Sequence, residues 1–154
     1  MSVLFLEYPK CSTCKKAKKW LDEHGVEYVD RDITTENPTV TELAEWHACS
    51  GLPLRRLFNT SGMKYRELGI KAKLDAGMTD AECFDVLATD GMLVKRPLLV
   101  GDDFVIPGFK EETWAEALGL RCRLEPFLNL WLLGLVAGFR VWLEFAFVLN
   151  KKVV

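Results

Sequence analysis

The chain has little of what most site chemistries need. It holds two histidines, His24 and His47, each alone on a helical stretch, and no second cysteine pair accompanies Cys11 and Cys14. A structural zinc site takes about four such ligands, so a half site at Cys11 and Cys14 is the weaker reading and no metal is expected. Five cysteines in 154 residues do not make a disulfide framework. The net charge is only -2, which gives no reason to expect direct nucleic-acid binding. The amino terminus lacks a basic segment and cleavage site, so no secretory signal is expected. A reducing, cytoplasmic compartment follows as the expectation. There a CxxC pair is catalytic or sensory rather than structural.

What is present suffices for one ordinary domain. Hydrophobic residues make up 49% of the chain and charged residues 27%. Residues 1–120 carry 15 Lys and Arg against 20 Asp and Glu, whereas residues 121–154 carry 5 against 2 and turn strongly apolar. A boundary is expected near Gly119 to Arg121, with a domain at 1–120 and a separate tail at 121–154.

The stretch that organises the domain is Cys11-Ser12-Thr13-Cys14-Lys15-Lys16-Ala17-Lys18-Lys19. It follows an apolar run, Val3 to Glu7, that reads as a buried strand, and it opens an amphipathic helix. A helix N-terminus carries partial positive charge and favours thiolate over thiol. The following lysines add to that field, Lys15 most of all, although they mainly form a solvated face. Cys11, the outer thiol, is the expected nucleophile. Cys14 is placed to resolve a mixed disulfide, since one helical turn brings the two Cβ atoms within the roughly 4.5 Å a disulfide needs.

The helix is expected over Ser12 to His24, with Ala17, Trp20 and Leu21 inward and Gly25 ending it. Val26 to Ile33 alternates and reads as a second strand, with Val26, Tyr28 and Val29 inward. The βαβ order makes the two strands parallel neighbours. Thr39 with Glu42 and Thr79 with Glu82 are capping boxes, and Leu52 to Phe58 reads as a short helix. Residues 39–89 are therefore a mostly helical insertion. Within it, the polar loop of Asn59, Thr60, Ser61, Gly62 and Lys64 is either a place for an anion or thiol ligand or a plain connection in which Gly62 takes a positive φ. Leu98 to Val100 and Phe104 to Ile106 form a hairpin, and Glu111 to Leu118 a last helix.

This plan, βαβ, insertion, then ββα, resembles the thioredoxin fold, an α/β class. The large insertion narrows the resemblance to the arsenate reductase-related ArsC/Spx/MgsR family. Three motifs carry it: Cys-Ser-Thr-Cys-Lys-Lys-Ala at 11–17, Phe-Asn-Thr-Ser-Gly-Met-Lys-Tyr-Arg-Glu-Leu-Gly at 58–69, and Asp-Gly-Met-Leu-Val-Lys-Arg-Pro-Leu at 90–98. The resemblance implies that Pro97 is a cis-proline facing the CxxC, with a backbone able to pair with an incoming ligand. It also implies that Arg96 lines the Cys11 site and that Ser12, Thr13, Lys15, Asn59 and Pro97 surround the substrate or thiol.

Two activities follow from the family. Members similar to arsenate reductases attack arsenate with the first cysteine, hold the oxyanion with three arginines, and use glutathione or glutaredoxin as reductant. Here only Arg96 matches. Arg55 and Arg56 are the basic residues near Phe58-Asn59, and Phe109 follows Gly108. Losing two bidentate donors disfavours a divalent oxyanion. The expected function is thus an ArsC-family thiol–disulfide oxidoreductase with no bound cofactor, taking electrons from glutathione, glutaredoxin or thioredoxin and acting on a thiol reductant or small oxyanion. The alternative is an Spx/MgsR-like redox-sensing transcriptional regulator that binds the RNA polymerase α subunit. Residues 52–58 are either its docking face or ordinary packing.

Cys49, Cys83 and Cys122 read as incidental small residues. In the tail, Phe127 to Phe139 is apolar except for Asn129, and Arg140 and Glu144 can pair at i, i+4. Residues 126–149 are expected to form an apolar helix. It is a membrane anchor, a segment for packing or self-association, or a non-native appendage; a membrane span needs about 20 apolar residues and would bury the Arg140–Glu144 pair.

Overall fold

The computed structural model describes residues 3–120. The expectations for residues 121–154, namely the apolar helix, its membrane or self-association and the role of Cys122, lie outside the described residues. No helix among the described residues is long and apolar enough to cross a membrane.

The elements are β1 (Leu4–Glu7), α1 (Ser12–Glu23), β2 (Val29–Asp32), α2 (Val40–Ser50), α3 (Met63–Glu67), α4 (Ile70–Asp75), α5 (Asp80–Thr89), β3 (Leu98–Val100), β4 (Val105–Pro107) and α6 (Glu111–Ala117). Short 3-10 turns cover Leu54–Leu57 and Gly91–Leu93. The sheet order is β2-β1-β3-β4. β1 runs parallel to β2 and antiparallel to β3, and β3 pairs antiparallel with β4. This is the thioredoxin-like α/β plan with its helical insertion.

Strand alternation sorts the core into two layers. Val3, Phe5 and Leu99 face α1 and α6 and pack with Ala17, Trp20, Leu21 and Trp114. Leu6 and Leu98 face the insertion and pack with Leu43, Leu57, Phe58, Ile70 and Leu87. Both capping boxes form, each with its threonine accepting from, and its glutamate returning to, the backbone. Arg31 of β2 ties the insertion to the sheet, donating to Glu42 at 2.7 Å and to the Glu36 carbonyl at 3.0 Å. Gly91 packs so close to Ile33 that a Cβ there would sit 2.0 Å from the Ile33 carbonyl oxygen.

Two local expectations change. The second strand is shorter than Val26 to Ile33, and Val29 is 59% exposed rather than inward. β2 is an edge strand, so Val26 and Tyr28 reach the core from the connection before it. Gly62 has φ −69 rather than a positive φ. Its need for glycine is a close approach, since a Cβ would meet the Asn59 side-chain nitrogen at 2.7 Å.

Candidate functional site: a dithiol at a cation-lined cleft

Cys11 is the N-cap of α1, with extended backbone angles and its N–H donating to the Tyr8 carbonyl at 2.9 Å. Tyr8-Pro9-Lys10 turns the chain off β1, so the sulfur sits where the first-turn N–H groups lack intrahelical partners. The α1 first turn holds no acidic residue to oppose a thiolate. Cys11 is half-buried and Cys14 buried, and both are free thiols.

The two thiols differ in acidity. Partial burial is the largest single influence on Cys11 and acts to raise its pKa. Together the Cys14 backbone N–H, the Cys14 thiol, the Thr13 N–H and the Arg96 charge outweigh it, so the Cys11 thiol lies below the ordinary range. Cys14 is pushed up to about 12, chiefly by burial, then by its bond to Cys11 and by the charges of Cys11 and Glu7, against a lowering bond from the Tyr8 backbone. The outer sulfur is thus the more acidic of the two and the buried sulfur the less acidic.

The wall opposite comes from the segment before β3. The Arg96–Pro97 peptide bond is cis. Pro97 is buried, and its carbonyl accepts from the Gly108 N–H at 2.7 Å, which joins this wall to the end of β4. The Arg96 guanidinium lies 5.0 Å from the centre of the Tyr8 ring and donates to the Met92 carbonyl at 3.4 Å. Between the walls lies an open cleft of about 850 Å³. Cys11, Thr13, Asn59 and Arg96 all line it, so the fold brings together residues up to the far end of the insertion.

Other expected residues sit elsewhere. Ser12 and Lys15 are exposed on α1 outside the cleft lining, and Cys14 and Pro97 lie behind it. Asn59 is 8% exposed and already engaged. Its amide donates to the Met92 carbonyl at 3.2 Å and its oxygen accepts from Ser61 at 3.2 Å. It therefore braces the insertion against the segment leading to Arg96. The cleft also holds groups that sequence reasoning had not placed. Arg56, Lys95 and Lys110 line it with Arg96, against the single carboxylate of Asp103. Arg55 points away and pairs with Asp75. Phe109 lines the cleft too and stacks edge-on against Trp114, with ring centres 4.9 Å apart. Cys49, exposed at the end of α2, lines the same cleft. No group of side chains suited to a metal ion occurs among the described residues.

A model of the ArsC family matches residues 6–117, from the strand before the dithiol to the last helix. The chain belongs to the ArsC family. The protein YusI of Bacillus subtilis is 51% identical over 116 residues, spanning 75% of this chain and 98% of YusI. The crystal structure of an ArsC family related protein from Bacteroides fragilis is 54% identical, with a TM-score of 0.72, covering 75% of this chain and 97% of that one. The regulatory protein MgsR of Bacillus subtilis is 28% identical over 105 residues, covering 68% of this chain and 81% of MgsR. The crystal structure of a possible arsenate reductase from Streptococcus mutans is 43% identical, with a TM-score of 0.67, covering 73% of this chain and 96% of that one.

Proposed function

We propose that this ArsC-family protein is a cytoplasmic thiol–disulfide oxidoreductase in which Cys11 attacks and Cys14 resolves. The observation that carries the reading is the pairing of the thiols. Cys11 stands half-buried at the head of α1, and Cys14 lies buried one turn further along the same helix. The Cys11 thiolate attacks one sulfur of a substrate disulfide and expels the other half as a thiolate. Cys14 then attacks the Cys11 sulfur, releasing the second half and leaving a Cys11–Cys14 disulfide. Its proton leaves with the departing thiolate, so the substrate gains two electrons and the protein loses them. Glutathione, glutaredoxin or thioredoxin restores the dithiol. Arg96 stabilises the thiolate, and the cleft cations favour an anionic thiol or small oxyanion. Thr13 supplies a backbone N–H. Asn59 lines the approach to Cys11 and Pro97 backs it, while Ser12 and Lys15 stand exposed on α1 outside the cleft.

A second reading is favoured by the likeness to MgsR. In it the same pair is an Spx/MgsR-like switch whose oxidation controls binding to the RNA polymerase α subunit. One experiment separates them. The reduced protein is given a small disulfide, and separately arsenate, with glutathione and glutaredoxin. Catalytic turnover that disappears in Cys11→Ser is the expected result. No turnover, together with oxidation-dependent capture of RNA polymerase, overturns the oxidoreductase and supports the switch.

A further inference from the structure

β4 ends the sheet, and its ladder with β3 fixes which of its backbone groups are already used. The Gly101 N–H donates to the Phe104 carbonyl at 2.8 Å, and the Gly108 N–H to the Pro97 carbonyl at 2.7 Å. Leu99 stands opposite Ile106 between them. In an antiparallel pair the bonded positions alternate, so residues 104, 106 and 108 turn toward β3. The Val105 N–H and carbonyl and the Pro107 carbonyl therefore point away from the sheet. Pro107, which has no N–H to lose, occupies an outward position as edge prolines do. Among the described residues, nothing bonds these outward groups. Yet Val105 is only 4% exposed, with its side chain in the core on the insertion side. Backbone groups this buried ordinarily have a partner.

This edge lines the cleft of Cys11 along its whole length, from Asp103 to Lys110. The Gly108–Pro97 bond ties its near end to the cis-proline wall beside Arg96. Charge is graded along it. Asp103 stands in the turn before β4, whereas cations gather where β4 ends. A Cβ built on Gly108 would lie 3.9 Å from the Lys95 Cε, and Lys110 caps the helix that follows. Neither Lys95 nor Lys110 forms an ion pair among the described residues. Three residues ended by a proline make too short and interrupted an edge for pairing with a second copy of this sheet. They suit a single short strand with acidic side chains.

We propose that the outer edge of β4 is a docking strand for an extended, acidic segment of a protein substrate, whose disulfide is thereby set before Cys11. The inference rests on the dithiol reading above and names its substrate class. The segment lies beside β4 as a further strand. Its backbone accepts from the Val105 N–H and donates to the Val105 and Pro107 carbonyls. Acidic side chains next to its cysteine meet Lys95, Arg96 and Lys110. Val105 to Gly108 spans about 10 Å of extended chain, enough to hold the segment in one register. The Cys11 thiolate then bonds to the segment's sulfur and expels the other half of the disulfide as a thiolate. Cys14 bonds to the Cys11 sulfur and releases the segment as a thiol, with the Cys14 proton going to the departing sulfur. The substrate is reduced by two electrons and the Cys11–Cys14 pair is oxidised.

The test uses the full reduced chain and a short peptide alternating glutamate and valine around one cysteine. The cysteine carries a chromogenic aromatic thiol in a mixed disulfide, so release of colour reads the attack by Cys11. Two versions are N-methylated, each at one alternate set of backbone amides. A strand ladder uses only one set, so one version should lose about tenfold or more in second-order rate and the other should stay within about threefold of the parent. Replacing the glutamates by lysines should also cost about tenfold. A serine analogue of the peptide, which cannot react, should at saturation slow hydrogen exchange of the Val105 N–H by about tenfold or more. Rates that do not differ between the two methylated versions overturn the docking strand, as does a Val105 N–H that exchanges no slower with the analogue. Glutathione carrying the same aromatic thiol, if it reacts as fast as the parent peptide, also overturns it and makes the cleft a small-molecule site. If no probe releases the coloured thiol while the serine analogue still protects the Val105 N–H, the dithiol reading fails and the docking strand stands.

Discussion

On one face of the sheet, α1 and α6 pack aromatic rings, Trp20, Trp114 and Phe109, around Phe5. On the other face, the insertion packs mostly aliphatic side chains around Leu6 and Leu98. The first face carries both thiols at the head of α1. The second carries Arg56 and the Asn59 loop, which form a cleft wall without supplying a sulfur of the pair. The thiol pair thus comes from short-range structure near residues 8–14, whereas the cleft beside Cys11 is completed by residues from about fifty to a hundred positions later along the chain. A change on the first face should alter what Cys11 can do. A change on the second should alter what reaches it.

The largest effect should come from Cys14→Ser. It is expected to stop turnover while leaving one rapid alkylation at Cys11, and to trap mixed disulfides visible by intact mass; undiminished turnover would place resolution on another thiol. Trp114→Ala empties the aromatic face. It should lower unfolding stability by about 3–5 kcal/mol, read by denaturant titration. Gly91→Ala strikes the insertion face, where the added carbon meets the Ile33 carbonyl, and should cost about 1–3 kcal/mol. Arg56→Ala should raise KM for an anionic disulfide several-fold with kcat nearly unchanged, since it binds but does not react. A fall in kcat alone would blur the division between the faces.

The smallest effect concerns pH. Arg31 holds the Glu42 carboxyl down at about 2, with burial opposing and the Thr39 hydrogen bonds assisting. A carboxyl lowered on folding stabilises above its unfolded pKa and loses that contribution as pH falls toward its folded value. Stability should therefore decline from about pH 4.5 toward pH 2. Glu42→Gln should flatten that part of the curve in acid denaturation.

Much of this was legible in the sequence because its signals are local. Capping boxes need four consecutive residues, and both formed. The CxxC at a strand-to-helix turn and the ββα end were read the same way, whereas the cis-proline after Arg96 came from the family resemblance. What was not legible depends on the fold. Val29 alternates like an inward residue, yet β2 is an edge with nothing over it. Arg55 and Arg56 look equivalent in sequence, but only Arg56 faces the cleft while Arg55 pairs with Asp75. Asn59 lines the cleft as a polar residue of its loop can, but that its amide is also tied to the Met92 carbonyl and the Ser61 hydroxyl depends on the fold. Glu7 closes an apolar strand, and nothing in its neighbours announces that Lys18 will reach it.

The site is distinguished by the difference between its two sulfurs. The most direct measurement is the pH dependence of alkylation at each cysteine of the fully reduced protein, resolved by peptide mass. Cys11 is expected to be labelled with a midpoint below the ordinary cysteine range, while Cys14 stays unlabelled until strongly alkaline pH. Equal labelling of the two, or a Cys11 that titrates at or above the ordinary range, would contradict it.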